Sequence, residues 1–324
     1  MHVGIIGLGR MGLNMAKRLI RDGHKVSAYN RSKDGRAEIA TLGAQTPDSI
    51  KELVGLLKTP RVLWVMVPHG APVSSVVHEL TGLCEAGDII IDGGNSHFTD
   101  SIQRAEALEK QGIYFLDIGV SGGIWGLERG YCLMAGGKKK AFDHIEPLLV
   151  SLAPGKQAAL ETTNRNHEYS SAALGYYHCG PSGAGHFVKM IHNAIEYGVM
   201  QSYAEGLELL KNADSKNLPE NQRYDFDLRE ITELWRRGSV IGSWLLDLMT
   251  MALHDDKDLK NFSGIVPDSG EGRWALMEAI KQNTPAPNLA NSLFTRFRSR
   301  QGNSFAERAL SALRKEFGGH SENG

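Results

Sequence analysis

A chain of 324 residues with 41% hydrophobic and 23% charged residues is long enough for two domains, each with a core of its own. Its formal net charge of -1 gives no global field that would draw it to nucleic acid or an anionic membrane surface, so small molecules are the expected partners. Apolar runs such as "VLWVMV" are far too short to span a bilayer.

The N-terminus enters a patterned apolar segment at once and carries Arg10, Lys17, Arg18 and Arg21 soon afterwards, unlike a signal peptide. Cys84, Cys132 and Cys179 are far apart, odd in number and form no C-x-x-C pair. They fit reduced thiols in a cytoplasmic compartment, and no metal site is expected. In chain order, the short apolar runs "VGIIG", "KVSAY", "RVLWVMV", "DIIID" and "IYFLDIGV" alternate with helix-like segments. That grammar belongs to βαβ units, so residues 1–180 are expected to form a Rossmann-type, doubly wound α/β sheet. At "ETTNRNHEYSSAALGYYHCGPSG" periodicity fades and the segment reads as a connection. Residues 181–324 are expected to be all helical. One long pattern runs to Asn212, followed by "DLREITELWRRG", "SWLLDLMTMALHD", "RWALMEAIKQN" and "SFAERALSALRKEF".

Gly7, Gly9 and Gly12 in "GIIGLGRMG" make a G-x-G-x-x-G between a strand and a helix, with Arg10 and Met11 at the turn. The first glycine permits the turn, the second lets backbone approach a pyrophosphate, and the third packs helix on sheet. The second strand ends in "YNRSKDGR", where Asn30 replaces the carboxylate that usually holds a ribose 2'-hydroxyl. Arg31 and Ser32, with Arg36, are suited to a 2'-phosphate, which favours NADP while leaving NAD open. Exposed loop charges would have the same sequence. After the third strand, "VMVPHG" offers Val67 as cover for the cofactor.

Two further loops fall at the carboxyl edge of the sheet, where open α/β sheets bind ligands. "DGGNSHFTDS" carries Asn95 on a glycine turn; Asn95 or Ser96 would also serve as the cap of the following helix. "VSGGIWGLERG" offers Ser121, Gly122 and Gly123, whose N–H groups suit carboxylate or phosphate oxygens. Then comes "GAGHFVKMIHNAIEYG". Wound as a helix, it aligns Lys189, His192, Asn193 and Glu196 in one stripe, opposite Phe187, Ile191, Ala194, Ile195 and Val199. The stripe suits the wet face of an amphipathic helix as well as an acid and a base aimed at a substrate.

Together, "GLGRMG", "DGGNS", "VSGG" and "GAGHFVKMIHNAIEYG" resemble the decarboxylating 6-phosphogluconate dehydrogenases, in a short form without the second helical repeat. β-Hydroxyacid dehydrogenases share the nucleotide motif, the S-G-G turn and the lysine, but lack the combined "KMIHN", "IEYG" and "DGGNS". A dehydrogenase of that kind, acting on a small hydroxy acid without decarboxylation, is the alternative. The resemblance implies oxidation of 6-phosphogluconate to ribulose 5-phosphate and carbon dioxide, a step of the pentose phosphate pathway. By the same resemblance Lys189 is the base at the substrate's 3-hydroxyl, which requires it to be neutral and its pKa to fall from about 10.4. Glu196 would protonate C1 of the ribulose 5-phosphate product, and His192, Asn193 and Asn95 would hold hydroxyls and carboxylate. Tyr197 and Arg296 would bind phosphate, with Arg314 and His320 of "RKEFGGH" doing so in the partner subunit of a homodimer or higher oligomer. "SGEGRW" departs from the family's "KGTGKW", which puts the phosphate contacts of that loop in doubt.

Overall fold

The computed structural model describes residues 1–163 and 170–318. Chain order is β1 (His2–Ile6), α1 (Arg10–Arg21), β2 (Lys25–Tyr29), α2 (Asp34–Ala40), α3 (Ile50–Gly55), β3 (Val62–Val65), α4 (Ala71–Thr81), β4 (Ile89–Asp92), α5 (Phe98–Glu109), β5 (Tyr114–Ser121), α6 (Gly126–Arg129), β6 (Cys132–Gly137), α7 (Lys139–Leu152), β7 (Tyr176–Gly180) and α8 (Ala184–Lys211). Five helices follow: α9 (Leu228–Arg236), α10 (Trp244–Asp255), α11 (Glu271–Lys281), α12 (Pro287–Ser299) and α13 (Phe305–Gly318). The chain divides into two compact units, Met1–Met190 and Ile191–Gly324.

The first unit is built on one seven-stranded sheet in the order β2-β1-β3-β4-β5-β6-β7. Its strands pair in parallel except for β5 and β6, which are antiparallel. Period-two side chains explain why the central strands read as unbroken apolar runs. Val3, Ile5, Trp64, Ile89 and Ile91 enter one core, while Ile6, Leu63, Val65 and Ile90 enter the core on the other face. The chain goes from β1 outward to β2 and returns to the far side of β1 as β3, so strand order reverses at the carboxyl ends of β1 and β3. That is where this fold class opens a ligand crevice.

Two strands were not legible as such. β6 ends in two glycines, and β7 lies inside the segment read as a connection; both extend the sheet beyond β5. Among the later helices α12 was not anticipated; it opens with Pro287, a residue suited to the first helical turn. In the second unit a small core gathers Leu207, Leu228 and Leu253, with Trp235 and Met249 packed against it.

In the first unit the start of α8 lies unusually close to the sheet. A Cβ on Gly185 would fall 2.3 Å from the Asp117 carbonyl oxygen and 2.4 Å from that of Met134. Both obstacles are backbone, so neither can rotate away. Gly185→Ala should therefore destabilise the protein by about 1–3 kcal/mol. Gly206→Ala on the same helix, where a Cβ meets open space, should be neutral or stabilising by up to about 1 kcal/mol. Urea denaturation midpoints check the pair, and equal effects would contradict this account of the packing.

Candidate active site

At the nucleotide end each glycine has a distinct task. Gly7 leaves β1 at φ 101°, and a Cβ there would lie 2.5 Å from the Met66 carbonyl oxygen and 3.1 Å from Val67 Cγ1. A Cβ on Gly12 would lie 2.1 Å from the Gly7 oxygen, whereas Gly9 faces open space. No side chain caps α1, which begins at Arg10 with Met11 next, and its first turn holds no acidic residue. The uncapped N–H groups beside an approachable Gly9 fit the pyrophosphate of a dinucleotide. Asn30 ties the end of β2 to this turn: its Oδ1 accepts from Leu8 N at 3.0 Å, and its Nδ2 donates to Ser32 Oγ at 2.8 Å. Arg31 is exposed between Asn30 and Ser32. Arg36 donates from Nη1 to Pro47 O at 2.9 Å and to Asp48 Oδ1 at 2.7 Å, which turns this edge of its guanidinium toward the loop before α3.

The two further loops at the carboxyl edge of the sheet are each fixed by side-chain hydrogen bonds. Asn14 of α1 donates to Ile124 O at 3.1 Å, fastening the turn that carries Ser121, Gly122 and Gly123 to the nucleotide helix. In the other loop, buried Asp92 accepts from Gly94 N at 3.0 Å, Ser96 Oγ at 2.7 Å and Arg104 Nη1 at 3.3 Å. Asp92 thereby fixes the turn around Asn95. Neither Asn95 nor Ser96 caps α5; the cap is His97, which accepts from Thr99 N. Asn95 instead accepts from Lys189 Nζ at 3.3 Å across 94 residues of sequence.

Lys189 is held there from two directions. Gly119 of β5 leaves room for its stem, since a Cβ on Gly119 would fall 2.3 Å from Lys189 Cβ. One strand turn earlier, Asp117 accepts from Gly183 N at 2.7 Å and His186 N at 2.9 Å, capping α8. Burial pushes the Asp117 carboxyl above its ordinary value, while His186 and the backbone N–H groups pull it down. His186 in turn shares a 2.8 Å hydrogen bond with Ser101 Oγ.

Within the second unit a polar cluster surrounds the next turns of α8. His192 Nδ1 lies 3.0 Å from Asn193 Oδ1, and Asn193 Nδ2 donates to Glu271 Oε1 at 2.5 Å. Tyr197 is buried; its hydroxyl accepts from Ser269 N and lies within hydrogen-bond distance of Ser269 Oγ, both at 3.2 Å. The Arg296 guanidinium stacks 3.5 Å from the Tyr197 ring centroid and donates to Pro267 O. Asp268, clasped by Arg273 and Arg300, holds the loop from beneath, and those hydrogen bonds pull its carboxyl down to about 2. Glu196, one turn beyond His192 on α8, is half-buried.

Comparison with known proteins places this arrangement. Residues 2–163 match the NAD binding domain of 6-phosphogluconate dehydrogenase, and residues 185–222 match the C-terminal domain of the same enzyme. YqeC of Bacillus subtilis, provisionally named a 6-phosphogluconate dehydrogenase, is 40% identical over 320 residues, covering 99% of this chain and 98% of its own. A Haloferax volcanii protein named NAD(+)-dependent, decarboxylating 6-phosphogluconate dehydrogenase is 38% identical over 321 residues, with the same coverage. The chain belongs to the 6-phosphogluconate dehydrogenase family. Among solved structures, Plasmodium falciparum 6-phosphogluconate dehydrogenase superposes with a TM-score of 0.77 at 27% identity, over 98% of this chain and 65% of that one. A 3-hydroxyisobutyrate dehydrogenase from Salmonella typhimurium, 22% identical with a TM-score of 0.68, shares the fold.

For a 6-phosphogluconate dehydrogenase family member, the structure thus joins Lys189 to Asn95, Asn30 to Ser32, and Tyr197 to Arg296. Arg314 lies exposed on α13 with no bond to these groups among the described residues, and His320 lies outside the described residues. Sequence reasoning missed Asp92 and Asp117 as parts of this machinery and left the roles of Ser269 and Glu271 in "SGEGRW" open. A carboxylate inside an apolar strand, as in "FLDIGV" or "IIID", was the available signal for the first two. The three thiols are free, and burial pushes them up, that of Cys84 to about 12, which makes them poor nucleophiles. No described helix is long and apolar enough to cross a membrane.

Proposed function

We propose that this protein oxidises and decarboxylates 6-phosphogluconate to ribulose 5-phosphate and carbon dioxide. The observation that carries the reading is Lys189 on Asn95, an amine and an amide brought together at the carboxyl edge of the sheet. When bound, the nicotinamide ring supplies the acceptor for a hydride from C3. Neutral Lys189 takes the proton of the 3-hydroxyl, with Asn95 orienting that hydroxyl. The resulting 3-keto acid loses C1 as carbon dioxide, protonated Lys189 donates to the C3 oxygen as the enediol forms, and Glu196 delivers a proton to the former C2, which becomes C1 of ribulose 5-phosphate. His192 and Asn193 hold hydroxyls and carboxylate, aided by the N–H groups of the Ser121, Gly122 and Gly123 turn. Tyr197 and Arg296 hold the phosphate; guanidinium and hydroxyl donors suit its oxygens. A β-hydroxyacid dehydrogenase without decarboxylation is the second reading, which the fold shared with 3-hydroxyisobutyrate dehydrogenase keeps in view.

NADP is the cofactor we favour, on Arg31 and Ser32 and on the amide at position 30. NAD is the competing form, supported by the name of the Haloferax relative. Gly7, Gly9, Arg10, Met11 and Gly12 would receive the pyrophosphate, with Val67 beside Gly7. Association as a homodimer is supported by the exposed Phe305, Leu310 and Leu313 of α13, at 78%, 63% and 60% exposure on the single chain. Arg314 on that helix, and His320 after it, would then complete the phosphate site of the partner.

Lys189→Met should lower kcat with 6-phosphogluconate by about 10²–10⁴-fold or more, with cofactor affinity unchanged, because the amine acts only in proton transfer. Nicotinamide absorbance and fluorescence titration measure the two; near-normal turnover would overturn the assignment. Arg31→Ala should raise the KM for NADP about tenfold or more and leave that for NAD within about twofold, since only NADP carries the 2'-phosphate. Equal changes for both would remove Arg31 from the 2'-phosphate site.

A further inference from the structure

Glu271 opens α11 and is 2% exposed, yet its sequence neighbours give no reason for burying a carboxylate. Its Oε1 takes the Asn193 Nδ2 proton at 2.5 Å, and Asn193 Oδ1 faces His192 Nδ1 at 3.0 Å. Adjacent residues on a helix point about 100° apart. The contact between His192 and Asn193 therefore calls for an outside group to turn the amide, and Glu271 is placed to do so.

With Glu271 ionised and His192 neutral, the two hydrogen bonds that run from Glu271 through Asn193 to His192 set the order of donors and acceptors. An ionised carboxylate only accepts, so Asn193 must show it the NH2 end. The amide oxygen is then left facing His192, and an oxygen there only accepts, so Nδ1 must carry the proton. A neutral imidazole has a single N–H, which makes Nε2 the acceptor. We infer that Glu271 is a positioning residue that fixes the tautomer of His192 through the side-chain amide of Asn193.

The consequence for function rests on the reading that His192 holds a substrate hydroxyl. A polyol O–H approaching His192 meets a lone pair in this tautomer and donates to it. In the opposite tautomer the same hydroxyl would have to accept from Nε2–H, so its own proton would point elsewhere. Setting the tautomer in advance removes that choice before substrate arrives.

The test uses the full-length protein labelled with 15N-histidine, read by two-bond 1H–15N correlation at a pH where the ring is neutral. The signal is assigned by its loss in His192→Gln. Wild type should show Nδ1 protonated and Nε2 bare. Glu271→Gln should keep this pattern, since the glutamine oxygen still accepts from Asn193. Glu271→Leu should shift the ring towards Nε2–H or a mixture. Should Glu271→Leu fail to fold, Asn193→Leu breaks the relay at its middle and should give the same shift. Wild type protonated at Nε2, or a pure Nδ1–H pattern in the folded leucine variants, would overturn the inference. In kinetics, Glu271→Leu should raise the KM for 6-phosphogluconate about tenfold with the cofactor KM unchanged, and Glu271→Gln should stay within about threefold. The NMR result does not depend on which hydroxy acid is turned over, so it separates failure of the relay from failure of the substrate assignment.

Discussion

The hold of Asp117 on the first turn of α8 is the constraint from which the rest of the first unit's chemistry follows. A carboxylate with no solvent exposure is costly unless donors surround it, and here two backbone N–H groups supply the compensation at the positive end of a helix. That contact forms only because the helix comes close to β5 and β6, which Gly185 allows by having no Cβ to meet the strand carbonyls. Removing the carboxylate would strand two buried N–H groups, a larger loss than the net worth of the bonds. From this anchor Lys189 follows by helical geometry, its stem lying over Gly119 and its amine reaching Asn95.

A second buried carboxylate, Asp92, does the corresponding work for the partner of that amine. By gathering Gly94 N, Ser96 Oγ and Arg104, it closes the turn on which Asn95 sits. A third, Glu271, turns Asn193 in the second unit. All three lie behind residues expected to touch substrate. Such groups hold side chains in the geometry that proton transfer needs, where a misplacement of about 1 Å costs on the order of 100-fold in rate.

What could be read from the sequence follows from how local each requirement is. The G-x-G-x-x-G turn was legible because φ at Gly7 and the approach of Gly12 to the Gly7 oxygen are imposed within a few residues. The five leading strands were legible from their apolar runs, and the stripe on α8 from helical period. The pairings were not. Asp117 meets α8 across 66 residues and Asn193 meets Glu271 across 78, and nothing in a linear pattern selects those partners. The contact of Arg36 with Asp48 was likewise not legible, since it joins residues 12 apart across a helix and a loop. β7 was hidden because "YYHCG" lies among polar and glycine residues, and its place in the sheet is set by β6 rather than by its own alternation.

The account turns on whether C1, the carboxyl carbon β to the oxidised C3, leaves. Incubation with 6-phosphogluconate carrying 13C at C1, in the presence of NADP or NAD, would be followed by 13C NMR of solution and headspace together with nicotinamide absorbance. One labelled carbon dioxide for each reduced nicotinamide, with unlabelled ribulose 5-phosphate as the product, is the result predicted. Reduced nicotinamide accompanied by a stable product that keeps the label would contradict it and would place the protein among dehydrogenases that stop at the keto acid.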